Sequence, residues 1–471
     1  MRPMPLSRLA DAAGGRLVGA DAAHDVLIDA VSTDTRGLDP GDGRAVLFVA
    51  LRGERFDGHD HAQAALEGGA RALLVARQLQ VALPQVVVAD TQRALAALAA
   101  SLQRARNGRA RVVGITGSNG KTTVKALVLS ILSRCGKAYA NPGNHNNEIG
   151  LPLAVIDAPE DADFAIYEMG AGKPGDIAYL TTVVRPDVSV VNNIAPAHLE
   201  RMDSLFGVAD TKAAIYDALP AGGTAVINAD DAFAPYFAER AHGRQLLRFG
   251  IEASADVTAR DIRPGPDGTR FVLVAPQGEA EVTLALPGRH NVRNALAAAS
   301  LALAAGAGLD AVREGLAAAR PVAGRLVSHR LPGGATLIDD SYNANPGSLH
   351  AAIDLLAAGA GEAWLVLGDM RELGADAAAL HAEAGRRAKA AGIARLYALG
   401  ELSAHAAEAF GERGRAFDGH DALAQALRED LSGRGDVRLL VKGSHGSRMD
   451  RIVNALLQGA GRTRGEGTDA A

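Results

Sequence analysis

A chain of 471 residues is too long for one hydrophobic core, and at about 150 residues per domain it predicts about three domains. Hydrophobic residues make up 48% and charged residues 22%, as in an ordinary globular protein, and the net charge of −5 argues against a nucleic-acid-binding surface. The single cysteine excludes an intramolecular disulfide and a cysteine-rich zinc site, and it suits a reducing cytoplasm.

The chain shows no sign of a targeting or membrane segment. No run of 18 or more apolar residues occurs, so we expect no membrane-spanning helix. Residues 1–19 lack a continuous apolar core with a cleavage site, so no signal peptide is expected. Residues 459–471 are small, polar and without periodicity, which predicts a disordered tail.

The first predicted unit, residues 1–84, is a small α/β domain. Strand-like runs occur at 26–31, 46–51 and 72–75, and residues 61–69 have the pattern of a helix. Two polar segments, 32–36 and 53–59, follow the first two strands. Taken alone, they are typical of loops with a local pair between Asp34 and Arg36.

The most informative stretch, residues 111–125, reads RVVGITGSNGKTTVK. Val112, Val113 and Ile115 predict a short buried strand, and glycines at 114, 117 and 120 then open the backbone. A helix follows from Lys121, with apolar residues at 124, 127, 128, 131 and 135 on one face. In such a turn the backbone N–H groups bind phosphate, the lysine neutralises it, and a threonine hydroxyl ligates magnesium.

This loop departs from the usual P-loop pattern, in which four residues separate two glycines. Ile115 stands where the first glycine belongs, so the strict pattern fails. Nucleotide binding is nevertheless favoured over an ordinary glycine-rich turn, because strand, loop and helix occur in the right order.

The variant loop, TGSNGKTT, resembles the ATP loop of the Mur ligase superfamily, which includes the folylpolyglutamate synthases. These enzymes join an amino group to a carboxylate through an acyl phosphate. The resemblance implies that ATP and Mg²⁺ are cofactors, and that residues 32–36 hold the UDP end of a substrate. The implied ATP-binding residues of the loop are Gly117, Ser118, Asn119, Gly120, Lys121, Thr122 and Thr123. The implied UDP-substrate residues are Ser32, Thr33, Asp34, Thr35 and Arg36.

Two strand ends within residues 85–319 supply candidate metal ligands. The predicted strand at 164–168 ends in Glu168, and the strand at 188–191 runs into a loop that contains His198. Ligand-binding groups collect at the carboxyl ends of parallel strands, although a lone histidine is more often structural. The resemblance implies that Thr122, Glu168 and His198 bind magnesium.

Lys212 lies fourteen residues after His198 on a predicted helix. The residue pattern alone favours a surface lysine. By the resemblance, the lysine at this spacing is carbamylated by CO₂ and then ligates a second magnesium ion as an anion. The implied catalytic residues are therefore Lys121, Glu168, His198 and Lys212.

Two amide-rich segments supply further candidates. Residues 141–150, NPGNHNNEIG, suit hydrogen bonding to a polar ligand, although turn chemistry alone could explain them. They resemble a loop of the same family, which makes Asn146 and Asn147 candidate substrate residues. Asn291 and Asn294 share one face of a later helix; Asn291 suits an N-cap, and the resemblance implies that both contact adenine. Between these segments, alternation at 269–274 and 281–286 predicts a small antiparallel sheet.

Residues 320–458 alternate strands with helices again, which predicts a second doubly wound sheet. Arg325 suits either a phosphate clamp or a salt bridge near a hinge at residues 319–324. After the next predicted strand come the ATP-binding candidate Asp340 and the substrate-binding candidates Tyr342, Asn343 and Asn345.

One segment of this half, GDMRELG at residues 368–374, is followed by His381 and narrows the resemblance to one branch of the family. It resembles the branch that adds D-alanyl-D-alanine to UDP-N-acetylmuramoyl-tripeptide in peptidoglycan synthesis. The chain departs from this branch at Gly172, at Asp176 and in residues 201–203. The alternatives are a diamino-acid ligase or folylpolyglutamate synthase of the same superfamily, a P-loop kinase or ATPase, and a non-catalytic nucleotide-binding regulator.

We therefore expect an α/β protein of three domains. Residues 1–84 are expected to bind the UDP end of the substrate, and residues 85–319 to form a P-loop-type parallel sheet, which binds ATP, with the small antiparallel sheet. Residues 320–458 are expected to form a Rossmann-like ligase domain. The expected protein is an ADP-forming ligase that acts as a cytoplasmic monomer. Its expected partners are UDP-N-acetylmuramoyl-tripeptide and D-alanyl-D-alanine, with no nucleic acid and no membrane.

Overall fold

The computed structural model describes residues 1–19, 25–53, 56–106, 108–196, 199–265 and 268–458. The predicted disordered tail at 459–471 lies outside these residues. In these residues five β-sheets and their helices build an α/β protein, which confirms the predicted fold class. Among the described residues, no helix is both long enough and apolar enough to cross a membrane.

The N-terminal sheet has five strands in the order β2-β7-β6-β5-β4. Strands β4 to β7 run parallel, β2 is antiparallel to β7, and β1 pairs separately with β3. The last strand, β7, begins one residue beyond the proposed boundary at 84. The strands are β1 Met4–Pro5, β2 Arg16–Val18, β3 Leu27–Ile28, β4 Ala30–Ser32, β5 Val46–Val49, β6 Ala72–Val75 and β7 Gln85–Val87; the helices are α1 Leu6–Ala13, α2 Ala62–Glu67 and α3 Thr91–Arg106.

The central sheet has six parallel strands in the order β13-β12-β11-β8-β10-β9, with the ATP-loop strand β8 in the interior. Parallel strands are covered on both faces, which explains why β8, β10 and β11 are nearly continuous apolar runs. The strands are β8 Arg111–Thr116, β9 Ala138–Ala140, β10 Phe164–Glu168, β11 Val188–Val191, β12 Thr224–Asn228 and β13 Gln245–Phe249. The helices are α4 Lys121–Leu132, α5 Gly150–Asp157, α6 Asp176–Val184, α7 Leu199–Met202, α8 Leu205–Asp217, α9 Ala234–Arg240, α10 Arg289–Ala304 and α11 Leu309–Ala318.

The predicted antiparallel sheet is present, with strands β14 Thr258–Gly265, β15 Gly268–Ala275 and β16 Gly278–Leu284. Its apolar face joins α4 and α10 in one core that contains Val124, Leu273 and Leu296. The predicted apolar face of α4 is buried except at its end. The helix stops at Leu132, and Cys135 is exposed beyond it, so its prediction as a buried position was wrong.

The C-terminal sheet has six strands in the order β17-β18-β22-β19-β20-β21, all parallel except β17. Alternate side chains of β19 enter two separate cores, with Leu365 on one face and Trp364 on the other. The strands are β17 Val327–Arg330, β18 Thr336–Asp340, β19 Glu362–Gly368, β20 Arg395–Leu399, β21 Gly414–Phe417 and β22 Val437–Lys442. The helices are α12 Pro346–Ala357, α13 Ala377–Ala390, α14 Glu401–Phe410, α15 His420–Leu431 and α16 Asp450–Gln458.

Helix α3 joins the N-terminal and central sheets into one packed body. It packs against α1 and α5, and a single apolar core contains Leu9, Leu95 and Val155 from the three helices. At the end of α3, the buried guanidinium of Arg106 donates to the carbonyls of Val155 at 2.6 Å and Ala158 at 2.7 Å. Arg106 therefore supplies donors to carbonyl groups at the end of α5, where backbone N–H partners run out; Val155 O also accepts from Ala158 N at 3.3 Å.

Replacing Arg106 by methionine should lower the free energy of unfolding by about 3 kcal/mol, because buried carbonyls lose a charged donor. Chemical denaturation with circular dichroism measures this loss. The kcat of the variant at 25 °C should stay within about twofold of the unmodified chain, since Arg106 lies away from the cavity described below. An unchanged denaturation midpoint would contradict the role given to this side chain.

Candidate functional site

A cavity of about 730 Å³ lies between the carboxyl edge of the central sheet and the C-terminal domain. The strands β8, β10 and β11 end at this cavity, and so do β18 and β22 of the C-terminal sheet. Carboxyl ends of parallel strands are where α/β proteins bind ligands. The predicted site residues that line it are Ser118, Asn119, Gly120, Lys121, Thr123, Asn146, Asn147, Glu168, Asn291, Asn294, Arg325, Asp340, Tyr342, Asn343 and Asn345.

The loop between β8 and α4 has a backbone that only glycine adopts easily. Gly117 has φ 147° and Gly120 has φ 79°. A Cβ on Gly120 would lie 2.5 Å from Nδ2 of Asn192 and even nearer to Oδ1 of Asn294. The two glycines therefore let the loop close against its neighbours, and the N-terminus of α4 faces the cavity as a phosphate-binding helix does.

Lys121, the first residue of α4, folds back over this loop. Its Nζ donates to the carbonyl oxygen of Gly117 at 2.8 Å. Burial lowers the pKa of the Lys121 ammonium; the charge of Glu168 opposes this shift and that of Arg325 adds to it. A lysine so placed is available to a phosphate group, which would replace the carbonyl as its partner.

Glu168 lies at the end of β10 and is almost completely buried. Asn146 Nδ2 donates to its Oε1 at 2.9 Å, and Lys125 Nζ lies 3.2 Å from Oε2. Burial by itself raises the pKa of the Glu168 carboxyl, but Lys125, Lys121 and the Asn146 bond together hold it below its usual value. Oε2 accepts no hydrogen bond from any residue that the structure describes, so this buried anion keeps a coordination position open toward those residues.

Lys125 was not predicted as a site residue. Its only sequence signal is its position four residues after Lys121, which places both ammonium groups on the same face of α4.

Thr122 does not line the cavity, but its hydroxyl is held by the C-terminal domain. Arg325 Nη2 donates to Thr122 Oγ1 at 2.8 Å, and the guanidinium lies 4.3 Å from the centre of the Tyr342 ring. No carboxylate pairs with Arg325 in the described part of the chain. The salt-bridge alternative for Arg325 was therefore wrong, and the side chain reaches the ATP loop.

Lys212 is 1% exposed within α8, so the surface position favoured by the residue pattern was wrong. Its Nζ has no hydrogen bond or ion pair with any described residue. Burial, reinforced by the charge of Lys121 and opposed by Asp176, lowers the pKa of Lys212 to about 7. A buried amine with this pKa is about half neutral at pH 7, whereas an ordinary lysine is almost wholly protonated.

His198 lies outside the described residues, so its place relative to Glu168 and Lys212 stays a prediction. Among the described residues, no group of three or more His, Cys, Asp or Glu side chains could hold a metal ion. The predicted magnesium ligands are not a group of this kind, because Thr122 would contribute a hydroxyl and Lys212 would bind only as a carbamate. The open Oε2 of Glu168 fits a magnesium ligand.

Asn291 and Asn294 form part of an amide network at the start of α10. Asn291 Nδ2 donates to Pro287 O, Asn294 Nδ2 donates to Asn291 Oδ1 at 3.0 Å, and Asn192 Nδ2 donates to Asn294 Oδ1 at 3.0 Å. The N-cap of α10 is Gly288, so the alternative role of Asn291 as the N-cap was wrong.

The C-terminal domain contacts the ATP loop a second time through Asn345. Its Nδ2 donates to Asn119 Oδ1 at 2.7 Å, while its Oδ1 caps α12 by accepting from Ser348 N at 2.9 Å. Lys442 Nζ binds Asp340 Oδ2 at 2.6 Å and the Asn343 carbonyl at 3.0 Å, which fixes the loop that carries the predicted substrate residues. Burial raises the pKa of Asp340 although Lys442 opposes the shift.

The segment at 32–36 does not line the cavity. Asp34 accepts from the Arg36 backbone at 3.0 Å and from its guanidinium at 2.6 Å, and Ser32 Oγ donates to the Asp34 carbonyl. The Arg36 side chain, through its hydrogen bond, lowers the pKa of Asp34 to about 2. The local Asp–Arg pair is thus present, and a substrate role for these exposed side chains stays a prediction.

Comparison with known proteins gives matches to three family models. Residues 27–115 match the model described as Mur ligase family, catalytic domain; residues 115–302 match the Mur ligase middle domain; and residues 324–445 match the Mur ligase, glutamate ligase domain. The UDP-N-acetylmuramoyl-tripeptide–D-alanyl-D-alanine ligase of Escherichia coli (strain K12) is 44% identical over 457 residues, which cover 97% of this chain and 99% of the relative.

Two solved structures extend the similarity to the fold. MurF from Acinetobacter baumannii has a TM-score of 0.90 at 32% identity, covering 97% of this chain and 99% of the other. The MurF ligase from Thermotoga maritima in complex with ADP has a TM-score of 0.81 at 27% identity, covering 92% of this chain and 98% of the other.

Proposed function

The chain belongs to the Mur ligase family, and from this premise we propose that it joins D-alanyl-D-alanine to UDP-N-acetylmuramoyl-tripeptide, converting ATP to ADP and phosphate. The observation that carries the proposal is the cavity itself. It brings the ATP loop, the buried Glu168 and the C-terminal loop around Asn345 together in a chain 44% identical to the Escherichia coli ligase.

The chemistry requires two steps. A carboxylate is a poor electrophile, so the terminal carboxylate oxygen of the tripeptide first attacks the γ-phosphorus of ATP, and the bond to ADP breaks. The neutral amine of D-alanyl-D-alanine then attacks the acyl carbon; the C–O bond to phosphate breaks, and the nitrogen releases a proton. ADP, phosphate and the UDP-linked pentapeptide result.

The chain's own residues act mainly by positioning and by charge. Lys121 exchanges the Gly117 carbonyl for the ATP phosphates and offsets the charge that builds on the γ-phosphoryl oxygens. The N–H groups of the loop and of α4 hold the phosphates, and Asn291 and Asn294 contact the adenine. Thr122, Glu168 and His198 would hold magnesium, which would supply further positive charge to the phosphoryl oxygens.

We also propose that Lys212 is carbamylated and thereby becomes a ligand of a second magnesium ion. The supporting observations are its burial, the absence of a hydrogen-bond or ion-pair partner among the described residues, and its pKa of about 7. Only a neutral amine attacks CO₂, and the surroundings of Lys212 keep a large neutral fraction at pH 7. The product is an anion at a position where no described carboxylate forms an ion pair with the ammonium, although Asp176 acts on it through space.

The two contacts between domains support a closed arrangement during the reaction. An acyl phosphate hydrolyses in water, so the site must exclude solvent while the intermediate exists. Arg325 with Thr122, and Asn345 with Asn119, hold the C-terminal domain over the ATP loop. We further propose that the chain acts as a monomer, and that its use of ATP places the reaction in the cytoplasm.

Replacing Asn345 by serine should reduce kcat/KM for ATP about tenfold. Serine retains an N-cap for α12 but is too short to reach Asn119, so one hydrogen bond of about 1.4 kcal/mol is lost between the domains. Steady-state kinetics at varied ATP measures the effect, and the thermal unfolding midpoint serves as the control. An unchanged kcat/KM with unchanged stability would show that this contact plays no part in turnover.

Phosphate release from MgATP tests the proposed function directly. We expect release only when UDP-N-acetylmuramoyl-tripeptide and D-alanyl-D-alanine are both present, with a product heavier by one dipeptide residue. Release with the UDP-linked dipeptide and a free diamino acid would instead establish the diamino-acid ligase. Release without any amino acceptor would identify a plain ATPase and overturn the proposal.

A further inference from the structure

Lys125 is a buried cation that the reaction described above does not use. It lies one turn after Lys121 on α4, and its side chain is only 8% exposed. Its Nζ donates to the carbonyls of Asn141 at 2.9 Å and Gly143 at 3.0 Å, and lies 3.2 Å from Glu168 Oε2. A buried charge is tolerated only when it is paired and hydrogen-bonded, and Lys125 meets both conditions through these contacts.

The hydrogen bonds of the Lys125 ammonium determine which oxygen of Glu168 stays open. Two protons of the ammonium go to carbonyl oxygens, and the approach to Oε2 satisfies the distance of an ion pair but not the geometry of a hydrogen bond. Lys125 therefore balances the charge of Glu168 without occupying the lone pair of Oε2. The carboxylate stays open on one oxygen, while Asn146 holds the other.

The loop that contains Asn141 and Gly143 also fixes the backbone of Glu168. Asn141 Oδ1 accepts from Glu168 N at 2.8 Å, and Asn141 Nδ2 donates to Glu168 O at 3.2 Å. Through its bonds to the carbonyls of Asn141 and Gly143, Lys125 ties this loop to α4. The phosphate-binding helix, the loop and the end of β10 are thus held in one arrangement around a single carboxylate.

We propose that Lys125 is a positioning residue, which holds Glu168 and residues 141–146 so that Oε2 presents an oriented lone pair to the magnesium ion of the nucleotide complex. The inference rests on the proposed function only in taking Glu168 as a metal ligand. It assigns to Lys125 a role in metal binding and phosphoryl transfer, exerted through Glu168, with no contact to ATP.

Manganese binding measured by electron paramagnetic resonance, with a non-hydrolysable ATP analogue, tests the proposal without turnover. Lys125→Met should weaken Mn²⁺ binding at least tenfold and reduce kcat at least 100-fold, while analogue binding in EDTA stays within about twofold. Lys125→Gln keeps donors for the two carbonyls but lacks the charge, and it should show the same direction with a smaller structural disturbance. Arg106→Met, which removes another buried cation bound to carbonyls, should lower stability yet leave Mn²⁺ binding unchanged.

A double-mutant cycle separates positioning through Glu168 from an independent effect. In a Glu168→Gln background, adding Lys125→Met should weaken Mn²⁺ binding by less than about twofold, because the carboxylate it positions is already lost. Additive losses, or Mn²⁺ binding by both Lys125 variants as tight as in the unmodified chain or tighter, would overturn the proposal. Unchanged Mn²⁺ binding in Glu168→Gln alone would instead overturn the metal site on which it rests.

Discussion

Replacing Lys212 by methionine should lower kcat at least 1000-fold and leave the fold intact. Lysine and methionine side chains have similar volumes. Methionine also removes a buried cation that has no hydrogen-bond or ion-pair partner among the described residues, so α8 loses no favourable contact. What the variant loses is the carbamate and the metal ligand that it provides. Phosphate release under saturating substrates measures the loss, and the unfolding midpoint at pH 7 should be unchanged or higher.

Isotope labelling distinguishes the loss of the Lys212 carbamate from a simple packing defect. With ¹³C-bicarbonate, the unmodified chain should give a carbamate carbon signal in NMR, and Lys212→Met should not. The sign of the pH dependence follows from the pKa of about 7: below this value the amine is protonated and cannot attack CO₂, so both signal and activity should fall as the pH drops from 8 to 6. Full activity in Lys212→Met, or a carbamate signal that persists in it, would contradict the proposed modification.

Replacing Lys121 by methionine should lower kcat/KM for ATP at least 1000-fold. The ammonium supplies charge to the phosphoryl oxygens within a buried loop, where electrostatic stabilisation of the transition state is strong. Lys121→Arg should recover little activity, because a planar guanidinium does not reproduce the compact charge of the ammonium that donates to the Gly117 carbonyl. Steady-state kinetics measures both variants.

The affinity of Lys121→Met for ADP shows whether the variant is impaired in nucleotide binding or in phosphoryl transfer. If the lysine acts mainly on the transferred phosphoryl group, calorimetry should show ADP binding reduced by no more than about tenfold. An equal loss in ADP affinity and in kcat/KM would mean that Lys121 contributes to nucleotide binding alone. Thermal unfolding should not change, since the hydrogen bonds of Nζ to described residues go only to carbonyls of the glycine loop.

Local sequence predicted the ATP loop well because its physical requirements are local. Gly117 and Gly120 occupy left-handed or otherwise restricted backbone positions, and a helix with an apolar face begins at Lys121, as expected. The strand ending in Glu168 was also predictable, because a buried parallel strand is a continuous apolar run and its end is marked by the first charged residue.

Sequence spacing failed to predict the surroundings of three side chains, because these surroundings are formed by residues distant in the chain. Lys212 lies in a helix whose pattern resembled a solvated face, yet packing of α8 on the central sheet buries it. Arg325 had two equal interpretations until the fold placed it against Thr122, 203 residues away. The only sequence signal of Lys125 was its position four residues after Lys121, since its partners Asn141 and Glu168 belong to a later loop and another strand.

The amino-acid sequence alone therefore determined the α/β class, the phosphate-binding loop and the ends of the functional strands, because hydrophobic periodicity and glycine placement act over a few residues. Only the tertiary structure decided the burial of Lys212, the partners of Lys125 and Glu168, and the contact of the C-terminal domain with the ATP loop. Burial and Coulomb interactions depend on distance through space, and the fold brings these groups together from separate segments of the chain.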